Sequence, residues 1–149
     1  MTDKNVQGID ISEQDLISRV MLDLINSCPY IPSGFTVQYG QLAESECMAL
    51  IAVPGAVKLK EYITGSYLAQ FPTALYYRSY PKDTLQRLNA QKIIDNTGQW
   101  LENAEYPAID GNRTIQKIYR ASSSEIAYRG DNGIEDWQIL ITLEYKFQK

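Results

Sequence analysis

The chain predicts an α+β domain: a mainly antiparallel or mixed β-sheet with two principal helices packed on one face. Residues 16–25 carry one continuous apolar stripe at helical spacing. Residues 66–80 form a long aromatic-rich extended run. Residues 135–147 hold the longest apolar alternation in the chain. With 149 residues, 44% hydrophobic and 21% charged, the chain suits one domain with a core of useful size. The expected organisation is a flexible N-terminal arm over residues 1–11 and a single domain over 12–149.

In the first helix Ser12 is the expected N-cap. Glu13 and Asp15 sit in the first turn, where the helix dipole favours acids. Leu16, Ile17, Val20, Met21, Leu24 and Ile25 make the stripe. Pro29 ends the helix and pulls Cys28 away from helical angles. Phe35, Val37 and Tyr39 alternate as in a half-buried strand, and Met48–Val53 reads as a central one. Residues 58–65 fit either a short extended segment or a turn.

The next strand spans 66–80. Pro72 cannot donate to a ladder, so it argues for an edge position or a bulge. Pro81 leads into a second helix near 83–103, with Leu85, Leu88, Ile93, Ile94, Trp100 and Leu101 as its apolar positions. Gly98 inside it costs about 1 kcal/mol relative to alanine. A loop follows over 104–113. In the strand 114–120, Ile115, Lys117 and Tyr119 are expected on one face, Gln116, Ile118 and Arg120 on the other. Residues 125–129 extend again, and Asn132-Gly133 marks a hairpin turn into the final strand. The sequence shows no internal repeat.

Composition excludes several chemistries. The chain has no histidine, which removes Ser/His/Asp triads, Cys/His pairs and histidine-ligated zinc. A net charge of -4 argues against a broad grip on nucleic acid. That charge is uneven: residues 1–50 hold two basic and seven acidic side chains, residues 51–100 six and three. An acidic start and a basic middle can be complementary surfaces on neighbouring copies. Cys28 and Cys47 are expected as free thiols in a reducing cytoplasm. The start has no apolar signal segment, and the longest apolar run, 48–54, is too short to span a membrane.

No catalytic, metal or cofactor-binding residues are expected. Residues 57–60 lack the glycines of a phosphate loop. Asp131, Glu135 and Asp136 do not follow calcium-loop spacing and read as solvated turn acids. Glu44 and Glu46 beside Cys47 oppose thiolate formation. The 11 tyrosines are the unusual feature, and Tyr62, Tyr67, Tyr76, Tyr77 and Tyr80 crowd the middle. Tyrosine suits interfaces, stacking on single strands, or the rim of a core. Tyr76 and Tyr77 point to opposite faces, so both cannot be core under a one-sided cover.

Residues 26–31 (Asn-Ser-Cys-Pro-Tyr-Ile), 60–66 (Lys-Glu-Tyr-Ile-Thr-Gly-Ser) and Trp100-Leu101-Glu102 carry a family likeness. So do Tyr106-Pro107, Asp110-Gly111, residues 114–118, Asp136-Trp137-Gln138-Ile139 and Leu143-Glu144-Tyr145. Over residues 14–147 the chain resembles the tail terminator or minor capsid family of long-tailed phages, and of phage-tail-like particles, of Gram-positive bacteria. The resemblance implies a virion protein at the head-proximal end of the tail, assembled in the host cytoplasm. Six copies would form a ring that caps the tail tube, stops its polymerisation and joins the neck. Its partners would be itself, the tail tube protein and a neck or head-completion protein, with DNA only passing through the lumen and no membrane contact. On that reading Tyr76, Tyr77 and Arg78 contact the neighbouring subunit. The hairpin from Arg129 to Asp136 meets tube or neck, and Asp131, Glu135 and Asp136 make the lumen acidic. The alternatives are another neck or head-tail joining protein, a non-viral ligand-binding α+β module, or an enzyme using carboxylates.

Overall fold

The structure, a computed structural model, describes residues 8–149. Its elements are α1 (Ile11–Asn26), β1 (Gln38–Tyr39), β2 (Cys47–Ala52), β3 (Val57–Glu61), β4 (Tyr67–Ser79), α2 (Thr84–Asn103), β5 (Arg113–Arg120), β6 (Glu125–Arg129) and β7 (Glu135–Phe147). One mixed seven-stranded sheet carries both helices on the same face, so the chain is α+β as expected. The main path runs β1-β2-β4-β7-β5, with β3 also beside β4 and β6 beside β7. Among the described residues only the β1·β2 pair is parallel.

Asp10, not Ser12, caps α1: its carboxylate accepts from the Ser12 N–H at 3.2 Å and from the Ser12 hydroxyl. Ile17, Met21, Leu24 and Ile25 are buried, as the stripe requires. Of the arm expected over 1–11, residues 1–7 lie outside the described residues. Its remainder belongs to the domain. Gly8 bridges Val57, and the Ile9 N–H donates to Ala56 O at 3.3 Å from a buried position.

The strand expected across 35–39 shrinks to the two residues of β1. Asn26 is the reason: its side-chain amide accepts from Val37 N at 2.8 Å and donates to Val37 O at 3.3 Å. That holds Val37 against the end of α1, with its side chain in the core. Residues 58–65 resolve into most of β3 and a tight turn.

Pro72 stands neither at an edge nor at a bulge. It lies in β4, at the centre of the sheet, opposite Thr142 of β7. Its carbonyl accepts from Val53 N, so its nitrogen faces the gap between β2 and β3, where residues 53–56 loop away. No ladder partner is lost there, which is how a central strand accommodates proline.

A bulge between Ile115 and Lys117 breaks the alternation expected in β5. It lets Ile115, opposite Tyr145, and Ile118, opposite Leu143, both enter the core. In α2 the buried positions are Ala90, Ile94, Thr97, Gly98 and Leu101, whereas Leu85 and Leu88 face solvent. Asp83 caps this helix through the Gln86 N–H at 2.9 Å.

Leaving aside the two-residue β1, the topology is a helix followed by three sheet strands, twice over. Tyr67 faces Phe147 and Ser79 faces Glu135, so β4 and β7 pair along their whole length. The first part of β4, Tyr67–Gln70, takes β3, and the rest takes β2. Likewise the first part of β7, Glu135–Gln138, takes β6, and the rest takes β5. Position n of β4 therefore corresponds to n + 68 of β7, about a pseudo-two-fold axis through the Thr73·Ile141 pair. Gln70 and Gln138, Leu75 and Leu143, and Tyr77 and Tyr145 match at that offset. The repeat absent from the sequence reading is present in the fold.

Candidate functional site

Alternation along β4 and β7 separates two faces. Odd positions of both strands meet the helices: Glu13 of α1 bonds Tyr67 and Tyr145, and Gly98 of α2 lies over Ile139. Even positions point to the other face. Its central rows are Ile51, Ala74 and Leu140, then Ala49, Tyr76 and Gln138, then Pro72, Thr142 and Tyr119. Ile51, Pro72, Tyr76, Tyr119 and Leu140 are half-buried there, packed side by side on the sheet. Gln138 donates to the Tyr76 hydroxyl at 2.7 Å, which holds that ring in place.

Tyr77 turns the other way and is core. It packs edge-on against Phe35, with ring centroids 6.0 Å apart, and donates to Glu46 at 3.4 Å. Burial, then the Glu46 charge, pushes its hydroxyl up to about 12. A neighbour cannot reach this ring, so its expected place at a subunit interface is corrected. Arg78 is committed within the chain: Nε and Nη2 donate to Asp136 at 2.8 and 2.9 Å, and Nη1 to Ala43 O at 2.7 Å.

The C-terminal hairpin divides in the same way. Glu135 and Asp136 are buried, not solvated turn acids. Arg87 grips Glu135 through Nε at 2.8 Å and Nη2 at 2.8 Å, and Arg129 adds a contact at 3.4 Å. The Arg87 hydrogen bonds hold the Glu135 carboxyl below its ordinary range. A buried carboxylate closed by a guanidinium presents little field to a lumen, so the lumen role of Glu135 and Asp136 is corrected too. Asp131 is exposed at the turn, and Arg129 and Tyr128 are exposed beside it.

A buried cluster that sequence reasoning missed lies beneath the start of α1. Glu13 accepts from the Tyr67 hydroxyl at 2.7 Å, from Tyr145, and from Arg113 Nη2 at 3.1 Å. Arg113 also holds Asp110 at 2.6 Å. Burial alone would raise the Glu13 pKa, but the bonds from Tyr145, Tyr67 and Arg113 lower it on balance. Burial and the same carboxylate push Tyr67 up to about 12 and Tyr145 further. The carboxylate is thus held charged and both hydroxyls protonated, so the cluster acts as a lock on α1. The signal was in the stripe: 13, 17, 21 and 24 share one helical face, and the first-turn position hid it.

Among the described residues, no three acids or cysteines converge to hold a metal ion. Cys28 is a buried free thiol, raised by desolvation, and Cys47 is a half-buried one. The chain matches no protein-family model and no curated protein.

Proposed function

We propose that this chain is a structural assembly protein of the tail-terminator kind. Copies form a ring that caps a tail tube, ends its growth and offers the neck a joining surface. The observation that supports this reading is the helix-free face of the sheet. There an apolar centre (Ile51, Pro72, Leu140) is flanked by two tyrosines, Tyr76 and Tyr119, and among the described residues no helix covers it. A flat patch with amphipathic rings at its margin fits a protein surface better than a small molecule, which needs concavity. Tyr76 is then the residue for contact with a neighbouring subunit, and exposed Asp131 the acid for tube or neck contact and the lumen.

Electron microscopy of tails from cells lacking the protein tests the role. Overlong, headless tails are expected. Tails of normal length without heads would favour a neck-joining protein instead, and normal particles would overturn the reading. At the residue level, Tyr76→Ala should leave the fold nearly intact, at a cost of about 1 kcal/mol, and weaken assembly tenfold or more. Tyr77→Ala should cost about 3–4 kcal/mol of stability through its cavity. Urea unfolding paired with light scattering separates the two effects. Equal stability losses would remove Tyr76 from the interface.

A further inference from the structure

The two halves of the fold supply an internal control for surface residues. Their hairpin turns share one backbone. Tyr62 N donates to Ser66 O at 2.8 Å and Gly65 N to Tyr62 O at 2.9 Å; Gly130 N donates to Ile134 O at 2.9 Å and Gly133 N to Gly130 O at 3.3 Å. Gly65 and Gly133 both take the left-handed region, at φ 94° and 89°. At the tip, however, the offset of 68 places Ile63 against Asp131 and Tyr62 against Gly130. The second hairpin makes the same turn with Asp-Asn, so the turn itself does not require isoleucine. Ile63 is fully exposed at 106%, and Leu59 and Tyr62 are exposed on the same arm. A β-branched apolar side chain at a solvated tip gains no packing within its own chain. Lys60 stands beside the Tyr62 ring at 5.2 Å, and Lys58 lies further down the stem. The arm is therefore apolar at its tip, and on its stem Lys58 pairs with Glu61 at 3.4 Å, leaving Lys60 as the net positive charge.

A surface that can receive this tip lies along α1. A groove of about 430 Å³ runs between α1 and the β1–β2 side of the sheet, lined by Ile11, Leu22, Tyr39 and Phe71. Ile11 is 82% exposed at its mouth. At the groove Asp15 pairs with Arg19 at 2.9 Å, and exposed Asp10, beside Ile11, adds one further acid. We infer that the β3–β4 arm of one copy docks into the α1 groove of the next, Ile63 entering the apolar floor and Lys60 facing Asp15. Two different surfaces meet, so the contact is head-to-tail and generates a ring or an open filament. The inference rests on the proposed self-assembly and names the surfaces that carry it.

Cysteine cross-linking of the purified full chain tests it, in a Cys47→Ser background that leaves only buried Cys28. Ile63→Cys combined with Ser18→Cys, a residue lining the groove, should give a ladder of disulfide-linked oligomers under mild oxidation. Asp131→Cys with Ser18→Cys, the equivalent tip of the other hairpin, should give none. Lys60→Glu should weaken assembly at least tenfold, and Asp15→Lys in the same chain should restore it. Assembled protein by light scattering without the Ile63 ladder would overturn the docking while leaving the ring reading intact. A ladder growing into open filaments would uphold the docking and overturn the ring. Monomers without a ladder at the highest soluble concentration would overturn the docking.

Discussion

Glu13 shows how one side chain ties a helix to a sheet. Its carboxylate collects two tyrosine hydroxyls and a guanidinium from three separate strands. Removing the charge weakens three hydrogen bonds at once while Arg113 keeps Asp110, so Glu13→Gln should cost about 2 kcal/mol at neutral pH. The sign with pH follows from the lowered folded pKa. The stabilisation is complete above the ordinary carboxylate range and is lost as pH falls through the folded value, below 4.5. The parent should therefore have a steeper acid limb than Glu13→Gln in urea midpoints taken across pH. Equal limbs would remove Glu13 as a source of acid sensitivity. Tyr67 and Tyr77 act at the other end. Both are raised from 10 to about 12, so their contribution is present below pH 10 and lost as pH rises through about 12. Tyr77→Phe should extend stability on the alkaline side, read from the same midpoints.

Among the elements, α2 illustrates a conflict between propensity and packing. Glycine is a poor helix residue, and Gly98→Ala on an exposed helix gains about 1 kcal/mol. Here a Cβ would stand 2.9 Å from Arg120 Cδ and 3.2 Å from Ile139 Cδ1, because the helix lies directly on β5 and β7 at that point. Gly98→Ala should therefore lose stability, by about 1 kcal/mol net. A gain in thermal midpoint would show that Arg120 swings aside freely. Legibility followed the same division. Periodicity located α1, β4, β7 and the extent of α2, since each buries a face that its own pattern encodes. The β5 bulge, the place of Pro72 and the exposure of Leu85 and Leu88 were not legible, because each depends on what lies across the sheet or beside the helix. For the candidate site, alternation correctly separated Tyr76 from Tyr77 but did not say which one the helices cover. The acids at 135 and 136 looked solvated because their partners, Arg87 and Arg78, lie 48 and 58 residues away.

On the scale of the whole molecule, the central β4·β7 pair belongs to both halves. Thirteen residues of each strand face one another, and every other pairing hangs from this ladder. Neither half can then bury its core alone: β4 without β7 loses its long partner, and the reverse holds equally. Unfolding should be cooperative across the pseudo-two-fold, with native-state hydrogen exchange as the measurement. Amides of β4 and β7 near Thr73 and Ile141 should exchange only through global unfolding, at one shared free energy. Those of β1 and of the outer edge of β6 should open earlier, since these short strands each pair with a single neighbour among the described residues. Protection in β7 that outlasts β4 by more than about 1 kcal/mol would mean the halves are separate cooperative units. A shared value in both strands would fit a rigid centre whose hairpins remain free to engage other chains.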